Sequence, residues 1–422
     1  MGVITEVRLK DVRCFEDEQS ARVGRITLLV GENNAGKSTF LGCCNALATL
    51  ANLHDLDDKN YFDNAPFHMG SFDTIVRSGK TEFSVGGRFQ NHCYTNVEFA
   101  FSEGDKGVPF EQKVKLEFND RENLERSFRA FWSTSVDTLR FEGPNFQFDL
   151  QGSEISYDSI STWLSRYVRH GHLPFRGEPA DFRNRKGLHV SGEDEAEFAK
   201  FITFLRSELP LPQKPSFVVN ALDPALPPRR RMYESLPAHL ASDSDLRIYQ
   251  EGAISKLGLW KSIAVQPGSD GRGSQVQVET KSGTWNLTDV GYGIHSILPL
   301  AQFLQKGGAE TIVLLQQPEV HVHPAVQAQL AQLMAESNSG FIIETHSDHL
   351  LERFQICVME GVLQPEELSI VYFGMDSNNA RTKIHNIEVD SQANLLNVPE
   401  GYRKFFMEET MRSMGFKDVR NS

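Results

Sequence analysis

The stretch RITLLVGENNAGKSTF, residues 25–40, decides the fold. Gly31, Glu32, Asn33, Asn34, Ala35, Gly36, Lys37 and Ser38 satisfy the spacing G-x-x-x-x-G-K-[S/T] in full, and Thr39 follows. A short apolar run precedes the loop, and KSTFLGCCNALATLANL after it has helical composition. That is the strand–loop–helix setting such a loop requires. Glycines let the chain turn tightly and aim backbone N–H groups at phosphate oxygens, and the following helix turns its positive end toward the same anion. Lys37 is placed to reach the β- and γ-phosphates, and the Ser38 hydroxyl to hold Mg²⁺. The competing reading is a chance glycine-rich turn, which would match in on the order of one chain in a hundred. The flanking pattern lowers that further.

Outward from the loop, the N-terminal VITEVRLKDVRCF alternates like a strand, and RITLLVG reads as a buried strand. Residues 81–150 are rich in Phe, Val, Gly and turn signals and predict an antiparallel β subdomain, with a helix near 122–132. Residues 151–214 predict a helical insertion, and SFVVNAL (216–222) a return to a core strand. From 285 onward, strands at 311–315, 340–345 and 368–373 alternate with helices at 325–337 and 349–360. Such alternation predicts a parallel sheet covered by helices. The division is an N-terminal lobe (1–150), the insertion (151–214) and a C-terminal lobe (215–422).

At 422 residues the chain has room for two to three domains at about 150 residues each. It is 40% hydrophobic and 23% charged, which excludes a disordered chain. The net charge of −13 excludes coating nucleic acid by bulk charge, so any such contact needs a local basic patch. Cys14, Cys43, Cys44, Cys93 and Cys357 are odd in number and form no CxxC, which fits a reducing compartment. No apolar run reaches the roughly 18 residues of a membrane span, and MGVITEVRLK lacks the apolar stretch of a signal peptide. A cytoplasmic protein without a membrane partner is expected.

A phosphate loop needs an acidic group on a neighbouring strand to order Mg²⁺ and polarise water. After TIVLL the sequence runs Gln316-Gln317-Pro318-Glu319-Val320-His321-Val322-His323-Pro324, and FIIETHSDHLL brings Glu344 and His346. NLTDVGYGIHSILPL adds Gly291 and Gly293 before a predicted helix.

Taken together, DVRCFED, the GxNxAGKS loop, DVGYG, the xxPExHxHP turn and THS resemble the ATP-binding-cassette heads of the SMC, RecF and OLD ATPase group. The likeness is greatest to the small AAA-type ATPases of anti-phage defence and DNA-repair operons. It covers roughly residues 1–80 and 216–350, whereas residues 81–215 match no family known to us. The resemblance implies an α/β ATPase head with a mixed sheet, binding ATP and Mg²⁺. It also implies a homodimer or higher homo-oligomer and a nuclease or toxin effector as partner. In it, Gly291 and Gly293 would face a nucleotide held mainly by a second subunit, and His346 would contact the γ-phosphate. Arg13 and Phe15 would lie near the adenine.

Gln316 and Gln317 stand where that group carries at least one carboxylate. An amide can hydrogen-bond to a metal-bound water but cannot act as a general base. Either Glu319 or Glu344 supplies the missing carboxylate, or hydrolysis is slow and ATP acts as a clamp, or the protein is a pure sensor. We expect hydrolysis, with Lys37, Gln317, Glu319, Glu344 and His346 as catalytic candidates and Ser38 and Gln316 on the metal. Alternatives are a nucleotide-gated scaffold and a DNA-repair ATPase acting on DNA ends.

His321, His323, His346 and His349 could be read as a zinc cluster, but the PExHxHP and THS motifs account for them and no cysteine stands at ligand spacing. Residues 163–186 interleave Arg166, Arg169, Arg176, Arg183, Arg185 and Lys186 with Trp163, Tyr167, Phe175 and Phe182. That suits a nucleic-acid surface, although a helical insert with a solvated face explains it better. No GxSxG elbow appears, and the 76 residues after His346 carry no DxD, so this chain is not expected to be the nuclease itself.

Overall fold

The computed structural model describes residues 4–52, 61–63, 67–90, 96–118, 128–133, 138–143, 146–151, 189–190, 218–222, 252–267, 274–309, 311–376, 381–399 and 401–402. The expected helical insertion, apart from Gln151 and the pair His189–Val190, lies outside the described residues, as does the basic stretch 163–186.

Strands β1 (Ile4–Val12) and β2 (Phe15–Arg22) form a hairpin, and β3 (Ile26–Gly31) runs into α1 (Lys37–Asn52). A short α2 (Phe72–Ile75) precedes β4 (Phe83–Phe89), β5 (Asn96–Glu103), β6 (Pro109–Phe118), β7 (Phe128–Ser133), β8 (Thr138–Gly143) and β9 (Phe146–Gln151). Then come β10 (His189–Val190), β11 (Val218–Leu222), β12 (Ser262–Pro267), β13 (Ser274–Thr280) and β14 (Gly283–Asn286). Helices α3 (Tyr292–Ile297) and α4 (Ala301–Lys306) lead to β15 (Thr311–Gln316), α5 (Pro324–Glu336), β16 (Gly340–Glu344) and α6 (Asp348–Met359). The described chain ends with β17 (Leu368–Asp376), β18 (Arg381–Val389) and β19 (Leu395–Leu396).

The larger sheet is antiparallel, in the order β10-β9-β8-β7-β6-β5-β4-β1-β2. It takes in the N-terminal hairpin as well as the predicted β segment. The helix expected near 122–132 is corrected in part: residues 128–132 belong to strand β7, hydrogen-bonded to β6 and β8, while 122–127 lie outside the described residues. Pairing on both edges overrides the weak local helical composition of this segment.

The second sheet has the order β11-β15-β16-β3-β17-β18-β19. Its first five strands are parallel and β18 and β19 run antiparallel, so the sheet is mixed. The strand that delivers the phosphate loop therefore sits in the middle of a sheet otherwise built from residues 218–396. Both faces are buried, as uninterrupted apolar strands require. Leu29, Ile312, Leu314, Ile342, Val371 and Phe373 point into the core under α1, shared with the antiparallel sheet. Leu28, Val313, Leu315, Phe341, Ile343 and Ile370 point the other way, under α4, α5 and α6. The expected α/β architecture, with a mixed sheet and an antiparallel β lobe, is what the chain forms.

Candidate functional site

Three features build the loop after β3. Gly31 has φ +138°, and a Cβ there would lie 2.4 Å from the Phe373 carbonyl oxygen of the adjacent β17. Only glycine closes this pair of strands. Asn34 takes the left-handed conformation (φ +63°), which Asn tolerates better than most residues. Gly36 has φ +91°, and a Cβ there would lie 2.5 Å from Cys14 Sγ and 2.8 Å from Phe15 Cζ. The turn is thus set down directly on the floor made by β2.

Lys37 opens α1, and its side chain folds back over the loop. Nζ donates to the carbonyl oxygens of Gly31 (3.0 Å) and Glu32 (2.6 Å). The residue is buried. Burial pushes the ammonium below its usual value, and the charges of Glu344 and Glu32 oppose that. Ser38, next along the helix, donates its hydroxyl to Glu344 Oε2 at 2.8 Å and accepts from Gln316 Nε2 at 3.1 Å. Gln316 and Glu344 face each other in register on β15 and β16, and Glu344 pairs with Leu29 on β3. Glu344 is 4% exposed. Burial raises its carboxyl above the usual range, against hydrogen bonds from Ser38 and Gln316 and the charge of Lys37.

Beyond β15 the chain reverses. Gln317 adopts φ +45° and its N–H donates to the Glu344 carbonyl at 2.8 Å. Glu319 Oε1 accepts the His346 backbone N–H at 2.8 Å, while Oε2 is buried with no hydrogen-bond partner. Burial also raises the Glu319 carboxyl. His346 is exposed, and desolvation followed by the nearby Lys37 charge lowers its imidazole. His323 is spent structurally: its Nδ1 accepts the Ala325 N–H (3.2 Å) as N-cap of α5, with Pro324 in the first turn. Ser347 caps α6 in the same way and donates to Gln327 Oε1 at 2.6 Å. Among the described residues, no group of three His, Cys, Asp or Glu is arranged to hold a metal.

Gly291 and Gly293 lie at the start of α3, next to the 317–323 turn. A Cβ on Gly293 would come 2.9 Å from the His321 carbonyl oxygen, whereas Gly291 faces open space. Tyr292 is 61% exposed and its ring lies 5.3 Å from that of His321.

The two residues expected near the adenine are both engaged within the fold. Phe15 is fully buried, edge-on to Phe373 beneath Gly36, so it cannot meet a base. Arg13 spends its guanidinium on Thr74 O (2.9 Å), Thr39 Oγ1 (3.1 Å) and Met69 O (2.9 Å). It ties Thr39 on α1 to Met69 before α2 and to Thr74 within it. Sequence reasoning missed this clamp, and it missed Gln327, whose Nε2 donates to Glu319 O (3.3 Å) and Val322 O (2.8 Å). A polar residue on a helix that otherwise buries Leu and Ala was the only signal for it.

The donors suit a hard divalent cation: a hydroxyl, a carboxylate and an amide meet at one point beside a buried lysine. Together with the loop they have the chemistry to hold a polyphosphate and its cation.

No curated protein matches the chain. Among solved structures it is similar to an SMC head bound to the C-winged helix domain of ScpA, at 13% identity and TM-score 0.43, covering 92% of this chain and 98% of that one. It is similar to the SMC head domain from Thermotoga maritima at 10% identity and TM-score 0.38, covering 92% of this chain and 100% of that one. A third is an Smc head domain with an extended coiled coil bound to the C-terminal domain of ScpA derived from Pyrococcus furiosus, at 10% identity and TM-score 0.43, covering 98% of each chain. Residues 26–352 match the family described as "AAA domain, putative AbiEii toxin, Type IV TA system", and the chain belongs to this AAA-domain family.

Proposed function

We propose that the chain is an ATPase of slow turnover that binds Mg²⁺-ATP at residues 31–39 and closes as a homodimer, or a higher assembly of dimers, around the nucleotide. The observation that carries this reading is the junction of Lys37, Ser38, Gln316 and Glu344, where a helix and two strands deliver one cation, two neutral groups and one carboxylate to the phosphate loop. Lys37 Nζ would exchange its two carbonyl acceptors for phosphate oxygens. The N–H groups of the loop and the start of α1 would bind the remaining phosphate charge. Bound Mg²⁺, with Ser38 and Gln316 beside it, would neutralise phosphate charge and order water. Glu319 holds the backbone of His346 and so fixes where that imidazole can meet a γ-phosphate. Gln317 follows β15 and can orient a water but not deprotonate it.

The exposed Tyr292, with Gly291, Val320 and His321 nearby, supports a second copy docking over the nucleotide. The resemblance to defence ATPases, and a family description that names a toxin, support a nuclease or toxin effector as the controlled partner. The three-part division at 150 and 215 belongs to this proposal, as does a cytoplasmic setting. Among the described residues no helix is long and apolar enough to cross a membrane.

The test is calorimetry of ATP binding and Mg²⁺-dependent phosphate release, each with wild type and Lys37→Ala. We expect both signals to be lost in the variant; binding and release unchanged by it would overturn the proposal. The amides at 316 and 317 favour a second reading, a nucleotide-gated scaffold with negligible turnover. That reading expects Gln317→Glu to create turnover, and brisk release by the wild type would end it.

A further inference from the structure

We infer that Glu344 is the carboxylate on the magnesium side of the nucleotide site, standing one strand over from the end of β15 where sequence reasoning looks for it. The inference rests on the ATP-binding reading above and assigns the cation ligand set within it.

Distance carries the first part of the argument. Glu344 Oε2 accepts the Ser38 hydroxyl at 2.8 Å, so its carboxylate already stands at the atom that would ligate the cation. Once Ser38 turned a lone pair to the metal, its proton would still need this acceptor, and Oε1 would remain for a metal-bound water. Register explains how the group gets there. Gln316 and Glu344 are direct neighbours on parallel strands about 4.8 Å apart. Both side chains leave the sheet at the same level and converge on Ser38.

The rival carboxylate does not meet the Ser38 hydroxyl. Glu319 Oε1 accepts the His346 N–H, and its buried Oε2 has no hydrogen-bond partner. Charge accounts for the amide at 316. A carboxylate there would face Glu344 across one strand spacing and compete for the same hydroxyl, and two such anions repel. The Gln316 amide instead donates to Ser38 Oγ and lets a single carboxylate serve the site. Gln316 and Glu344 are thus complementary positions: one site charge, moved from one strand to its neighbour.

The test uses the full-length chain and titrates ATP by calorimetry in excess EDTA and in excess MgCl₂. The readout is the ratio of the two affinities, which reports the cation contact independently of turnover. We expect Glu344→Gln to cut the gain from Mg²⁺ by about 10- to 100-fold, the range for loss of a partner that orients a metal ligand, with affinity in EDTA unchanged or tighter. Glu344→Asp, a gentler change that keeps the charge, should fall in between. Gln316→Asp added to Glu344→Gln should restore most of the gain, because the carboxylate returns to the same hydroxyl from the other strand. Glu319→Gln should leave the gain in place. A full Mg²⁺ gain in folded Glu344→Gln, or a gain lost in Glu319→Gln instead, overturns the assignment while ATP binding stands. Absence of ATP binding by the wild type in both buffers overturns the ATPase proposal itself, and this assignment with it.

Discussion

Replacing Gly36 by alanine separates two costs that are usually merged. The first is conformational: φ is +91°, where an L-residue pays about 1–3 kcal/mol. The second is steric. The new methyl would sit 2.5 Å from Cys14 Sγ and 2.8 Å from Phe15 Cζ, and Phe15 is wholly buried against Phe373, so it cannot swing away. Forcing a methyl into packed surroundings costs about 1–3 kcal/mol more. The sum is about 2–6 kcal/mol, offset in small part by the stiffer unfolded chain. Gly79 supplies the control. Its φ is +82° and a Cβ there meets nothing within 4 Å, so Gly79→Ala carries only the conformational cost. Urea unfolding should therefore place Gly36→Ala about 1–3 kcal/mol below Gly79→Ala. The loop must also lift off β2, which tilts its N–H groups, so ATP affinity should fall in Gly36→Ala and stay at wild type in Gly79→Ala. A double-mutant cycle of Gly36→Ala with Phe15→Leu makes the claim specific: trimming the ring should recover part of the loss, with a coupling of about 0.5–3 kcal/mol. Equal destabilisation by the two alanines, with no coupling to Phe15, would refute the claim that the floor of β2 shapes the loop.

Arg13→Ala removes three hydrogen bonds and leaves Thr74 O and Thr39 Oγ1 short of a donor, while Met69 O keeps the Thr74 hydroxyl. A loss of about 2–4 kcal/mol is expected by urea unfolding, with Arg13→Lys recovering only part because one ammonium cannot fork to all three acceptors. His295 is buried with Nδ1 unpartnered, and burial lowers its imidazole below the usual 6.5, opposed by a hydrogen bond with the Val290 backbone. The unfolded chain then binds the proton first, so stability is whole above about 6.5 and falls as pH drops below it. His295→Gln should flatten the slope of stability between pH 7.5 and 5.5, and an unchanged slope would show that His295 does not titrate differently on folding.

The local code was enough for the parts whose chemistry is contained in a short segment. Gly31 to Ser38 declares a phosphate loop because spacing, glycine conformation and the following helix are all properties of neighbouring residues. The strands at 311, 340 and 368 and the helices between them were legible for the same reason: continuous apolar runs bounded by helical patterns set their own type. The segment 128–133 was less legible because strand pairing, a contact with β6 and β8, outweighed its weak local preference. Phe15 was misread because its role depends on Gly36, which the fold lays over it, and the clamp of Arg13 on Thr39 was illegible for the same kind of reason. Only the tertiary structure decided where the carboxylate stands. Ser38 and Glu344 are 306 positions apart, and Gln316 is 278 from Ser38. Their meeting depends on the placement of β3 between β16 and β17 and on the register of β15 against β16. Register is a property of pairs of strands. A single strand carries the hydrogen-bonding groups for many pairings, and the packing of both sheet faces selects one.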